Sequence, residues 1–543
     1  GDQPLECYSC GTKNVFLLGF VPAQGDSVVV LLCREPCLHT NGLKDMNWDL
    51  DKWQPLIEDR AFLSWLVKVP SEADASRAQN VTAAQIGKLE QLWRSDPNAT
   101  LRDIDKPGSL EEPQPARMHY DDGYHFQNVL APLIKLEAEN DRRMKEEQSR
   151  SGVTVHWDVA VNKKHVAFFL IPQTSDGDMR VVVGDELLLS NAALKWECVG
   201  SVKTRTAKEE IGLELRGKNS TNPPTHQKSG FHVDVMWKAT TYDRCQMAMK
   251  SFAVEEVSVS GYLYHRILGH DVEPQVLKGV KLPKKLSAPN LPELNPSQRE
   301  AVLQVIQAPL SLIQGPPGTG KTVTSSTIVY HLVKQTKAQV LVCAPSNVAV
   351  DQLAERISLT GLKVVRLCAK TRESLASPVE HLTLHYQASH LDDGQDSSEL
   401  QKLLQLRDLM GELSDSDEKR LRGLRRAAEK EVLSAADVVC CTCVSAGDPR
   451  LSKFRFRSVL IDEATQATEP EALIPIVHGC KQLVFVGDHC QLGPVITSKV
   501  AAKALLGQSM FERMVQLGVH PQRLTIQYRM HPCLSEFPSN TFY

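Results

Sequence analysis

Residues 309–322, PLSLIQGPPGTGKT, decide how the rest of the chain is read. An apolar run ends in a glycine-rich turn, then Lys-Thr, then the helically spaced apolar positions of VTSSTIVYHLV. That order of strand, loop and helix is the context a phosphate-binding loop requires. Gly315, Pro316, Pro317, Gly318, Thr319 and Gly320 let backbone N–H groups turn inward around phosphate oxygens. Lys321 is spaced to reach the β and γ oxygens and the Thr322 hydroxyl to ligate Mg²⁺. The competing reading, a plain glycine-rich turn, gives no reason for the Lys-Thr pair. The implied fold class is α/β, a P-loop nucleotidase core with a parallel sheet.

Downstream strands extend the reading. SVLIDEA (458–464) is a buried-strand pattern delivering Asp462 and Glu463 at its carboxyl edge, where ligands of open α/β sheets bind. Asp462 is placed to hold Mg²⁺ through water, and Glu463 to orient or deprotonate an attacking water. An acidic pair at a strand end is by itself commonly solvated surface; the phosphate loop reverses that judgement. QLVFVGDHCQLGPV (482–495) repeats the arrangement and sets Gln491 to sense a γ-phosphate. RLTIQYRMHP (523–532) reads as another strand, followed by Arg529, a fixed guanidinium for transition-state charge.

Composition bounds the rest. With 543 residues, 42% of them hydrophobic, the chain is long enough for several cores, and 62 Lys plus Arg against 65 Asp plus Glu leave no global basic field. A nucleic-acid partner must be held by local patches. No run reaches the roughly 18 apolar residues of a membrane span, so no membrane association is expected. Three N-x-[ST] triplets, at Asn80, Asn98 and Asn219, are discounted as chance matches. Ten of the 14 cysteines are scattered singly or lie in apolar strands and read as reduced core thiols. The other four, Cys7-x₂-Cys10 and Cys33-x₃-Cys37, flank two short apolar strands at a spacing that suits tetrahedral Zn²⁺ with bonds of about 2.3 Å. Four thiolates leave no open position, so this zinc is structural or holds a docking surface; His39 is close enough to replace Cys37.

The periodicity divides the chain. Residues 1–118 hold the zinc module and a linker, and 119–151 a long helix fading into charge, like a stalk. Residues 152–238 switch to period two, a small antiparallel barrel. A second stalk helix and connector (239–289) lead to the parallel-sheet domain, 290–372 and 436–522, interrupted by a charged helical insertion at 373–435. Residues 523–543 begin a further domain. The cluster Arg420, Arg422, Arg425 and Arg426 in the insertion is spaced to touch phosphates, although such runs are commonly solvated helix faces.

GPPGTGKT, CAPSN (343–347), DEATQATEP (462–470), GDHCQLGP (487–494) and QYRMHP (527–532) stand in the order found in superfamily 1 helicases, which this chain resembles. With the zinc cysteines, stalk and barrel, and the stretches VSGYLYHRILGH and CCTCVSAGDPRL, it looks like the up-frameshift RNA helicases of nonsense-mediated mRNA decay. The resemblance covers nearly the whole chain, except about 191–230, where the barrel segment is divergent and shortened. It implies a RecA-like core that uses ATP, Mg²⁺ and Zn²⁺. It also implies 5′-to-3′ movement on single-stranded RNA, decay factors docking on the zinc domain, translation release factors as partners, a monomer, and a cytoplasmic location with nuclear shuttling. A second RecA-like domain would begin near 523, so the chain is expected to be a piece cut at both ends that binds ATP weakly and does not translocate. By position, Gln298 in NPSQ matches the adenine-reading glutamine and Tyr528 a base-stacking tyrosine; a polar helix terminus and a core tyrosine are the competing readings. Ser346, Asn347 and Thr442 match positions that bind RNA sugar and phosphate, against which stands their use as hydrogen-bonded turn residues.

Two other readings stay open. One is a related helicase acting on DNA or RNA–DNA hybrids, to which the zinc cluster is foreign. The other is a non-catalytic docking platform whose zinc module recruits decay factors.

Overall fold

The computed structural model describes residues 113–543, apart from 148, 161–163, 171–180, 182–183, 206–209, 374–376, 392–393 and 411–412. N-terminal to these it describes five strands and the helical residues 89–90 and 93–94. Those strands are β1 (Leu17–Ala23), β2 (Asp26–Leu32), β3 (Gln54–Pro55), β4 (Ile57–Glu58) and β5 (Ala61–Phe62). The first two, the short strands expected between the cysteine pairs, pair as an antiparallel hairpin, with β3 added beside β1. Cys7, Cys10, Cys33, Cys37 and His39 lie outside the described residues. The chain divides into two compact units, Gly1–Ile104 and Asp105–Tyr543.

The second unit is built on a seven-stranded sheet. Its strands are β13 (Leu310–Gln314), β14 (Val340–Ala344), β15 (Val364–Arg366), β16 (Val438–Thr442), β17 (Ser458–Ile461), β18 (Gln482–Gly487) and β19 (Gln522–Arg523), in the order 15-16-14-17-18-13-19. All pairings are parallel. Strands β13 to β18 are buried at every residue, which is why their sequences read as continuous apolar runs rather than alternating ones. One face is covered by helices Pro296–Gln307, Lys321–Thr336 and Asn347–Ser358. The other is covered by the stalk helices and by helices Glu469–Ile476 and Met510–Gln516. The strand expected ahead of Arg529 is only Gln522–Arg523, because it pairs with Ile313 and Gln314, the last residues of β13, and the chain beyond runs past that strand's end.

The stalk consists of helix Gly123–Glu146, capped by Asp122, and helix Thr240–Val254. They run antiparallel: Gln246 Nε2 donates to Ala131 O (3.0 Å), and a Cβ on Gly123 would lie 2.7 Å from Ala253 Cα. Phe126, Leu130 and Leu133 meet Met249 and Phe252 in the core, each such side chain stabilising the seam by roughly 1.5–3 kcal/mol. Arg513, 1% exposed, fixes the base of the stalk; its guanidinium pairs with Glu469 (2.5 Å) and donates to Met118 O and Ile267 O.

At the far end of the stalk, β6 (Arg150–Val153), β7 (Val155–Val159), β8 (His165–Phe169), β9 (Glu186–Asn191), β10 (Trp196–Arg205), β11 (Ile211–Arg216) and β12 (Phe231–Val235) form an antiparallel sheet ordered 6-12-9-10-11-8-7. Its edge strands β6 and β7 are separated by one residue, and Trp157 on β7 touches Phe231 on β12 (ring centroids 5.8 Å). The sheet therefore curls on itself, as a barrel does. The segment 191–230 supplies β10 and β11, two of its central strands. The insertion contains helices Leu384–Ser389, Gly394–Met410 and Asp415–Ala435.

Among the ten described cysteines, all unpaired, seven are buried, but Cys490 and Cys533 are exposed, unlike core thiols.

Candidate nucleotide site and basic groove

The phosphate loop runs from β13 into helix Lys321–Thr336. Gly318 (φ +77°) and Gly320 (φ +78°) both lie in the left-handed region that favours glycine. Space is as restrictive as conformation. A Cβ on Gly315 would stand 2.1 Å from Lys321 Cγ, and one on Gly320 2.5 Å from Gln298 Nε2. The cradle is open only because these side chains are missing, as anion-binding loops require.

At the edge of the neighbouring strands, Lys321 Nζ lies 3.2 Å from Glu463 Oε1. Glu463 holds a left-handed backbone (φ +50°), a strained conformation for a glutamate of the kind that collects at functional sites. Asp462 is 5% exposed and accepts from Glu463 N (2.9 Å). Burial first, and then the Glu463 carboxylate, push the Asp462 carboxyl up to about 6. Two carboxyls beside one lysine leave negative charge in a dry place, which a divalent cation would neutralise. Thr322, at the start of the helix, and Asp462 fit Mg²⁺, and the glycine cradle with Lys321 fits a nucleotide's phosphates.

Gln491 is exposed and donates from Nε2 to Asp488 Oδ2 (2.6 Å). Asp488, 1% exposed, also accepts from Gln314 Nε2, Cys490 N and the Tyr543 hydroxyl, and is a hub the motif reading overlooked. Its signal was present in the Gly-Asp turn. Arg529 is exposed and seated on the phosphate loop: Tyr528 N donates to Gly318 O (2.8 Å), and a Cβ on Gly318 would lie 2.5 Å from Arg529 Cβ. Gln527 shapes that turn, its Oε1 accepting from Arg529 N (3.0 Å) and Met530 N (2.7 Å). Tyr528 is 66% exposed, so it is an accessible face rather than a core tyrosine. Gln298 is buried, and both ends of its amide are engaged: Oε1 accepts from Asn295 N (3.0 Å) and Nε2 donates to Thr319 O (3.1 Å).

A second concavity of about 850 Å³ opens along the carboxyl ends of β15, β16 and β14, between the stalk and the insertion. Asn347 and Thr442 line it; Ser346 does not. Ser346 caps helix Asn347–Ser358, its Oγ accepting from Ala349 N (3.2 Å). The Thr442 hydroxyl is taken up by Ser445 (2.8 Å), and Asn347 Oδ1 accepts from Arg366 Nη2 (2.9 Å). Lys370, Arg372, Arg426, Lys430 and Lys453 also line the groove and make no ion pair among the described residues. In its wall, Arg450 binds Asp448 (2.9 Å) and Glu373 (3.1 Å), and Arg244 of the second stalk helix donates to Val444 O (2.8 Å). In the sequence cluster, Arg420 pairs with Glu399, Arg422 with Glu418, and Arg425 with Glu373 and Glu429. Only Arg426 of that cluster faces the groove.

Comparison with known proteins places the whole chain among described families. Residues 1–96 match the family described as RNA helicase (UPF2 interacting domain), and 148–236 that described as RNA helicase UPF1, 1B domain. Two AAA-domain families match 293–404 with 390–499, and 506–543. A regulator of nonsense transcripts 1 homolog of Arabidopsis thaliana is 62% identical over all of this chain and 43% of its own length. The ATP-dependent helicases upf1 of Schizosaccharomyces pombe and NAM7 of Saccharomyces cerevisiae are 54% and 53% identical over all of this chain and 59% and 55% of theirs. The chain thus spans about half the length of the relatives it matches. Matched from end to end at this identity, with zinc-binding, barrel and nucleotidase regions in one order, the chain belongs to the regulator of nonsense transcripts 1 family of helicases.

Proposed function

We propose that this chain carries the nucleotide-hydrolysing half of an ATP-driven motor that moves on single-stranded RNA in nonsense-mediated mRNA decay. The observation that carries the reading is the cradle: Gly315, Gly318 and Gly320 around Lys321, with Lys321 and Glu463 3.2 Å apart beside buried Asp462.

Bound Mg²⁺ would draw charge from the phosphates and hold their oxygens in line. The chain's own residues do the rest. Loop N–H groups and Lys321 bind the phosphates, and Thr322 and Asp462 hold the cation. When Lys321 turns to phosphate, Glu463 is released from its ion pair and free to take a proton from water. Gln491, tied to Asp488, stands at the edge to register the terminal phosphate. Arg529, seated against Gly318, offers further positive charge. Lys370, Arg372, Arg426, Lys430 and Lys453, with Asn347 and Thr442, hold an RNA backbone without reading bases. Residues 1–96 dock a decay factor through a zinc-stabilised surface.

Steady-state ATP hydrolysis with and without single-stranded RNA tests this, with Glu463→Gln as the blank. The expected result is a rate that RNA raises and Glu463→Gln abolishes. Equal rates for the two proteins would overturn it. Stimulation by single-stranded DNA as strong as by RNA would favour the DNA-acting alternative.

A further inference from the structure

Four hydrogen bonds tie the phosphate loop to the surface expected to face the nucleotide base, and they close a ring. Tyr528 N donates to Gly318 O (2.8 Å), Asn295 Nδ2 to the Tyr528 hydroxyl (3.0 Å), Asn295 N to Gln298 Oε1 (3.0 Å), and Gln298 Nε2 to Thr319 O (3.1 Å). The Gly318–Thr319 peptide bond completes the circuit. The amide orientations are forced by their partners: Asn295 Oδ1 already accepts from Gln298 N (3.0 Å) and Ser297 Oγ (2.7 Å), which turns Nδ2 toward Tyr528. Gly318 and Gly320 show how close the fit is. Cβ atoms at 318 and 320 would meet Arg529 Cβ and Gln298 Nε2, each at 2.5 Å.

Asn295 is the N-cap of helix Pro296–Gln307, in a complete capping box with Gln298. Capping alone does not explain an asparagine, since serine and aspartate cap about as well. What asparagine adds is a donor long enough to reach Tyr528.

We propose that Asn295 is a positioning residue of the nucleotide pocket, holding Gln298 and Tyr528 in register with the phosphate loop so that base recognition and loop conformation are coupled. This rests on the ATP reading above. The coupling follows from a shared donor. Gln298 Nε2 gives one of its two hydrogens to Thr319 O, so a purine edge that takes the other is fixed, through one amide, relative to the crown of the loop. Tyr528, held at its hydroxyl by Asn295 and at its backbone by Gly318, carries that constraint to Arg529, the next residue. Asn295 itself touches no phosphate; it acts through its two neighbours.

The test is a double-mutant cycle on the full chain. Asn295→Ser keeps a cap but is too short to reach the tyrosine, and Tyr528→Phe removes the hydroxyl but keeps the ring. Equilibrium binding is read with ATP and GTP carrying a fluorescent ribose label, and melting is followed in parallel. Each single variant is expected to weaken ATP binding by about 2–5-fold, the scale of one hydrogen bond, and to narrow the preference for ATP over GTP. The double variant should be no weaker than the worse single one. Melting of Asn295→Ser should stay at the parent value. Additive losses, or an unchanged ATP-to-GTP ratio in both single variants, would overturn the inference while leaving ATP binding itself intact. A parent chain that binds neither nucleotide would instead overturn the nucleotide reading, and the inference with it.

Discussion

The nucleotide site and the basic groove lie on the same edge of one parallel sheet, yet they are made differently. The phosphate cradle of the first is assembled from backbone: eight consecutive residues, one of them Lys321 and three of them glycines that leave no room for a Cβ, two of these with a left-handed φ. The second is assembled from side chains that come from far apart, Arg244 on the stalk, Arg426 and Lys430 on the insertion, and Arg450 and Lys453 after β16. A site of backbone tolerates no substitution but is written locally. A site of gathered cations tolerates single losses, and its shape depends on how three elements dock.

Four measurements break or sharpen that contrast. The largest effect is expected from Lys321→Ala, which should lower ATP turnover by about 10²–10³-fold, the scale of losing one charged donor at a reacting centre, and leave nucleotide-free RNA affinity unchanged. Equal damage to both would mean that the two sites are one. Next, Arg450→Met removes the hub of the groove wall and leaves Asp448 and Glu373 facing each other. Urea unfolding should show a loss of about 2–3 kcal/mol, discounted from a fully buried pair because these groups keep slight exposure. RNA binding should weaken with it. Third, Arg426→Glu with Lys430→Glu should weaken single-stranded RNA by roughly tenfold and reduce the salt slope by about one unit, with ATP affinity unmoved. A salt slope that stays put would take the RNA out of this groove.

The smallest effect concerns the seam beneath the groove. Burial pushes the Glu471 carboxyl from 4.5 up to about 7, beside Cys245 of the stalk and Cys443 at the end of β16. Between those values the folded chain holds a proton that the unfolded chain has released. Stability is therefore full below about 4.5 and falls as pH rises through 7. Glu471→Gln should flatten that decline and be more stable than the parent at pH 8 by about 1 kcal/mol, or on the order of 2 °C in melting temperature. A parallel decline in both proteins would assign the pH dependence elsewhere.

The legibility of each feature follows from its range. Gly315 to Thr322, Asp462 and Glu463 were readable because a phosphate loop and a buried strand end are local patterns whose chemistry does not depend on distant neighbours. The second stalk helix was readable as a helical run, and it spans Thr240–Val254, at the start of the expected 239–289 stretch. The engagement of Gln298 was half readable: N-P-S-Q is a capping-box signature, but its bond to Thr319 O depends on the loop folding over it. The arginine run at 420–426 mostly follows the commoner reading of such runs, since three of its four members meet carboxylates of the insertion and only Arg426 lines the groove.

What the sequence alone determined, then, is the α/β class, the phosphate loop, the acidic pair and the order of domains, because each is specified by residues within a few turns of chain. Only the tertiary structure decided that Glu463 rests against Lys321, that Tyr528 and Arg529 sit on Gly318, and that five cations converge in one groove. Those facts depend on which strand neighbours which and on where the stalk and insertion dock, distances that no local pattern encodes.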